Sequence, residues 1–173
     1  DEAMAHWDAA LDLMTRHGAA PEERLALLER LGEAAQISGF DHYARSMASY
    51  GVFIAACGFE YHGPKGRIGF SPRLTPEDFK APFTAAEGWG SFSQIRTDKT
   101  QTNRIALKWG GLRVKTLAFE LPPAATLSAA TVAVGAKQIP AKAIQTGQRV
   151  ELTLDEAISL QAAQSIESKL AFV

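Results

Sequence analysis

The hydrophobic period changes once along this chain, near Gly58, and that change limits what the chain can fold into. From Asp41 to Cys57 the residues after Met47 are apolar on almost every face of a helix. Such a helix is expected to be buried against something sizeable. Beyond Gly58 the pattern becomes short alternating runs broken by Gly and Pro, which is the signature of strands and turns.

Upstream of Asp41 the spacing also predicts helices. Met4, Trp7, Leu11 and Met14 recur every three or four residues, and Gly18 suits a C-terminal cap. Pro21 fits the first turn of a second helix, with Glu22 and Glu23 favourable beside it and Leu25, Leu28 and Leu31 on its buried edge. Gly39 interrupts this pattern, and Asp41 is a candidate cap for the third helix.

Downstream, strands are expected at 67–70, 79–85 and 89–96, with a turn at Glu87-Gly88. Runs at 105–109 and 114–121 flank Gly110-Gly111, which reads as a hairpin. Thr75-Pro76-Glu77-Asp78 reads as a capped helical turn, and 97–103 as an exposed polar loop. Further strands are expected at 131–134, 150–154, 158–160 and 166–172. The fold class expected is therefore α+β: N-terminal helices followed by an antiparallel β-sandwich-like region.

Composition excludes several functions. Nearly half of the 173 residues are hydrophobic, enough for a real core. The formal net charge is −1, and no block of Lys or Arg occurs. No nucleic-acid partner and no anionic membrane surface are therefore expected. The longest apolar run, 52–57, is too short to span a bilayer. The opening Asp1-Glu-Ala-Met does not read as a signal peptide, and no compartment follows from that. The single Cys57 excludes an internal disulfide.

Motifs for chemistry are sparse. His6, His17, His42 and His62 have no ligand spacing, so no metal is expected. Gly63-Pro-Lys-Gly66 lacks the Ser/Thr and the strand–loop–helix setting of a phosphate loop and reads as a turn. No cofactor is expected. Glycoside hydrolysis needs two carboxylates a few ångströms apart. Glu60, Glu77, Asp78 and Glu87 are the candidates considered, with Glu77 and Asp78 read first as solvated turn residues. Glu87 is either a turn residue or, beside Trp89, part of a sugar grip. An aromatic ring offers the flat apolar surface that a sugar stacks on.

Four segments carry a family resemblance: Asp41-His-Tyr-Ala-Arg-Ser-Met-Ala-Ser-Tyr, Gly58-Phe-Glu-Tyr-His-Gly-Pro, Ile68-Gly-Phe-Ser-Pro-Arg-Leu and Phe83-Thr-Ala-Ala-Glu-Gly-Trp-Gly. Over residues 41 to 95 the chain resembles the C-terminal end of bacterial glycoside hydrolase family 116, which includes β-glucosidases and non-lysosomal glucosylceramidases. The resemblance implies that 1–95 is a helical segment with the closing strands of an (α/α)6-barrel-like domain, and that 96–173 is a C-terminal β-sandwich-like domain. It implies retaining hydrolysis of β-linked glucosides or related glycosides, with the Glu nucleophile and Asp acid/base outside this chain. It also implies that Arg45 hydrogen-bonds the sugar. A guanidinium fork suits paired hydroxyls, although Asp41 is an equally placed ion-pair partner one turn earlier. The family's acidic residue and Cys-Gly before the His-Tyr-Ala-Arg motif are replaced here by Gln36-Ile-Ser-Gly-Phe40.

Three functions stay open on these residues. The chain is the tail of such a glycosidase, partnered by the rest of that enzyme and its carbohydrate substrate. Alternatively it is a non-catalytic carbohydrate-binding module in which Trp89, Phe92 and Trp109 stack on sugar, or a structural or docking module. Candidate substrate-binding residues are Arg45, Glu87 and Trp89.

Overall fold

The computed structural model describes the chain from Asp41 to Val173, with side chains from Met47. The contacts separate two compact units, Asp1–Ala56 and Cys57–Val173. Helix α1 spans Asp41–Cys57, as its apolar pattern predicts. One flank of it, Met47, Tyr50 and Ile54, is exposed. Gly58 ends the helix in the left-handed conformation at φ 55°, where only glycine sits without strain. A Cβ there would also lie 2.1 Å from Ser71 Oγ.

The second unit is built from ten strands: β1 (Glu60–His62), β2 (Arg67–Phe70), β3 (Asp78–Thr84), β4 (Gly88–Arg96), β5 (Thr100–Glu120), β6 (Leu127–Val134), β7 (Lys137–Gln138), β8 (Ala141–Thr146), β9 (Arg149–Gln161) and β10 (Ser165–Phe172). The expected α+β class is thereby corrected. The described residues are mostly strand, with a single α-helix, and the two helices expected before Asp41 lie outside them. Nor is the sheet purely antiparallel, because β2 runs parallel to β5.

β5 organises the unit. Its first half pairs with β4 and β10, and its second half with β2 and β9. Gly110-Gly111, expected as a hairpin turn, lies inside this one long strand. Gly110 takes φ 77° and sits so close to the β3–β4 turn that a Cβ would meet Glu87 O at 2.0 Å. The glycine pair passes the strand from one half of the sheet to the other instead of reversing it. Residues 95 and 96 both belong to β4, which continues unbroken across that position.

The halves pack face to face through aromatic rings. Phe70 of β2 stacks on Phe92 of β4 with centroids 4.0 Å apart and planes 1° from parallel. Phe119 of β5 lies 6.2 Å from Phe92. β4 shows why: GWGSFSQIR buries Gly88, Gly90, Phe92 and Gln94 and turns the intervening residues outward, the period of two that a half-buried strand requires. The arrangement is sandwich-like, with Ile68, Ile105, Leu117, Leu152, Ile166 and Leu170 filling the interior.

Two polar expectations are also corrected. Thr75–Asp78 forms a reverse turn closed by Asp78 N–H donating to Thr75 O at 3.1 Å, and Asp78 then enters β3 rather than a helical turn. The stretch 97–103 is a tight Thr97–Thr100 turn followed directly by strand, with Gln101 and Asn103 buried. Gln101 Nε2 donates to Gln94 Oε1 and to Asn103 Oδ1, both at 3.0 Å, Gln94 Nε2 donates to Pro76 O at 2.7 Å, and Asn103 Nδ2 donates to Ser168 Oγ at 3.3 Å. Buried amides are tolerated because these partners satisfy them.

Candidate functional site: a tryptophan pair on the outer sheet face

β4 enters the sheet through the tight β3–β4 turn, closed by Ala85 N–H donating to Gly88 O at 2.8 Å. The turn is held onto β5 by Gly111 N–H donating to Glu87 O at 3.0 Å. This fixes Trp89 as the second residue of β4, directly opposite Trp109 of β5. Residues directly opposite in an antiparallel pair project from the same face. Trp89 is 50% exposed and Trp109 63% exposed. Among the described residues neither indole stacks on another ring, and neither indole N–H has a hydrogen-bond partner. A register shift follows Trp89, so that Lys108 is the extra residue on β5 and is also exposed. Bulges of this kind re-aim side chains at a sheet rim.

Below the pair, the outer face drops to small residues. Pro82, Ser91, Ala106 and Ser165 form one rung across β3, β4, β5 and β10. Pro82 fits there because β3 is an edge strand and needs no ladder donor on its open side. The next rung is Lys80, Ser93, Arg104 and Glu167.

The predicted site residues are distributed as follows. Glu87 is exposed in the turn one residue before Gly88, so it stands beside Trp89. Arg45 lies in α1, in the Asp1–Ala56 unit, and its side chain is outside the described ones. Phe92 is fully buried at 0% exposure and is removed from the set of stacking residues. It projects inward because it is three positions from Trp89, an odd step that reverses the face. Arg104 and Lys80 were not singled out by the sequence. Only the register of three strands brings them under the Trp pair, and no local motif marks that.

Glu60 and Glu151 are held in a network on the other half of the sheet. Arg149 donates to both oxygens of Glu60, at 2.7 and 2.6 Å, and to Glu151 Oε1 at 3.0 Å, while Arg67 also pairs with Glu151. Hydrogen bonds from Arg67 and Arg149 hold the Glu151 carboxyl below its usual range, and those that Arg149 donates to Glu60 raise the guanidinium further above its own. A carboxylate held as Glu151 is held is committed to structure and is the opposite of a raised-pKa general acid. Cys57 is buried, and desolvation pushes its thiol up to about 11, so it is not an activated nucleophile. Among the described residues no group of His, Cys, Asp and Glu could hold a metal ion.

A concavity of about 620 Å³ is lined by Pro76, Arg96, Pro122, Pro123 and Phe172 among others. Arg96 there is already engaged: Nε donates to Gln101 Oε1 and Nη2 to Glu120 O, both at 2.8 Å. Burial lowers its pKa, opposed by Glu77 and Glu120. This arginine ties the buried amide ladder to the end of β5, a structural role.

No family model and no curated protein matches this chain, so membership of family 116 is not shown. Among solved structures the chain is similar to alpha-L-rhamnosidase from Dictyoglumus thermophilum, with a TM-score of 0.40 and 15% sequence identity. That match covers 72% of this chain and 13% of the other, so the chain spans a small part of the protein it is similar to, a distant glycoside hydrolase.

Proposed function

We propose that the Cys57–Val173 unit binds carbohydrate, without catalysis of its own, through Trp89 and Trp109. The observation that carries this reading is the pair itself: two large indoles, neighbours across two strands, both half exposed or more and unstacked. Large apolar rings cost free energy when left in water and are retained where something covers them. A sugar ring with one apolar face and polar edges suits such a pair, and the Ser-rich rungs and Glu87 supply hydrogen-bonding groups around it. The sequence resemblance over 41–95 supports a wider setting. There the unit is attached to a glycosidase acting on β-linked glucosides or related glycosides, whose catalytic carboxylates lie outside this chain and whose sugar Arg45 contacts.

The test is tryptophan fluorescence of the full chain titrated with a panel of neutral and acidic oligosaccharides. Binding should shift indole emission to shorter wavelength, and Trp89→Ala or Trp109→Ala should remove both shift and affinity. No emission change with any sugar in the panel would sink the reading. The wider setting has its own test: the parent polypeptide should hydrolyse chromogenic β-glucosides, and Arg45→Ala should raise KM more than it lowers kcat.

A further inference from the structure

The surface around the tryptophans carries a charge pattern that sharpens the ligand class. Lys80, Arg104, Lys108 and Lys169 all belong to strands of this sheet half and are exposed. Among the described residues none of the four has an ion-pair or hydrogen-bond partner. Elsewhere on the same unit the arginines are engaged: Arg67 and Arg149 with Glu60 and Glu151, Arg73 with Glu120, Arg96 with Gln101. The contrast is sharpest for Arg104. It faces Ser93 on one side and Glu167 on the other in register, yet makes no ion pair with Glu167.

Against these four cations, the facing rungs hold two carboxylates, Glu167 and Asp78. Glu87 stands at the Trp end. The face therefore keeps a cationic excess in a chain whose formal net charge is −1. An excess of positive charge on one face attracts anions and raises their local concentration.

Resting on the carbohydrate reading, we infer that the glycan is acidic: a uronic-acid-containing oligosaccharide whose apolar face lies on Trp89 and Trp109 and whose carboxylate reaches Arg104 and Lys80. The geometry supports this path. From the Trp89 rung to the Ser93 rung is four residues along β4, about 13 Å at strand rise, the span of a short oligosaccharide. The rung between is Pro82, Ser91, Ala106 and Ser165, with no tall side chain to obstruct it. Arginine suits the far end because its planar fork matches a carboxylate at two points.

The experiment is calorimetric titration of the full chain at low salt with an oligogalacturonide and, separately, with a neutral cello-oligosaccharide of equal length. The acidic sugar should bind about tenfold more tightly, the worth of one charge-assisted contact. Arg104→Gln should reduce the acidic sugar to the neutral one's affinity and leave the neutral one unchanged. Added salt should weaken only the acidic sugar. Arg104 is exposed, so this variant should keep the parent's thermal midpoint, which is checked in the same samples. Equal affinity for both sugars, with Arg104→Gln silent while Trp89→Ala abolishes binding, would overturn the acidic assignment and leave carbohydrate binding standing. No binding of either sugar would overturn both.

Discussion

The two halves of this sheet present opposite kinds of surface. On one, Glu60, Arg67, Arg149 and Glu151 close a network in which each charge has a partner. On the other, Trp89, Trp109 and Arg104 are exposed and unengaged, joined to the first half through the same strand, β5. The first surface is complete in itself. The second has its strongest interacting groups unused, and that is the feature on which the proposed carbohydrate site rests. Shared core and shared strand make the difference attributable to side chains alone.

Substitutions should separate the two surfaces. The largest effect is expected where they share support. Phe92→Ala removes the ring between Phe70 and Phe119 and should cost about 3–5 kcal/mol in denaturant unfolding. Sugar binding should fall with it only in the unfolded fraction. Replacing both Trp89 and Trp109 with Ala should reduce carbohydrate affinity by about 2 kcal/mol or more, as for buried aromatic anchors, while the thermal midpoint stays near the parent's. A large loss of stability in that double variant would mean that the indoles serve packing, and the comparison would collapse.

On the networked half the expectation is reversed. Glu151→Gln should leave sugar affinity untouched and lower stability by about 1 kcal/mol or less, because the partners are about one-third exposed and screened by solvent. The acid dependence carries the sign. The folded Glu151 pKa is lower than its ordinary 4.5. Its contribution is thus present above the unfolded value and is lost as pH falls from there through the folded one. Acid titration of stability should be shallower in Glu151→Gln than in the parent. The smallest effect is expected from Ile95→Thr at the far end of the tryptophan face. Ile95 is 58% exposed, and the change should stay within about 0.5 kcal/mol in stability.

How much of this was legible in the sequence depends on how local each signal is. Helix α1 and strands β2, β3 and β4 follow from period and from Gly58 and Glu87-Gly88, all of which act over a few residues. Trp89 and Trp109 were recognisable as aromatic candidates, but their adjacency is a matter of register between two strands. Phe92 shows the limit: it has the same residue chemistry as a sugar-stacking group, and only the parity of its position puts it in the core. Gly110-Gly111 reads as a reversal because glycine pairs usually make one. The alternative, a bend inside one long strand, is chosen by the β3–β4 turn packing against it. Gln101 and Asn103 look solvent-loving until Gln94 and Arg96 of β4 and Ser168 of β10 supply their partners. Arg45, argued from resemblance, lies in the other unit, and its role rests on the proposal above.

β5 has a consequence for how the unit opens. Its 21 residues contribute hydrogen bonds to both halves, so neither half has a backbone ladder that can be released while the other stays whole. Amide protons at Ile105 and Leu117, on either side of the glycine bend, should therefore exchange with deuterium through the same rare global event. The free faces of the molecule differ in chemistry, but the ladder beneath them should melt as one cooperative unit.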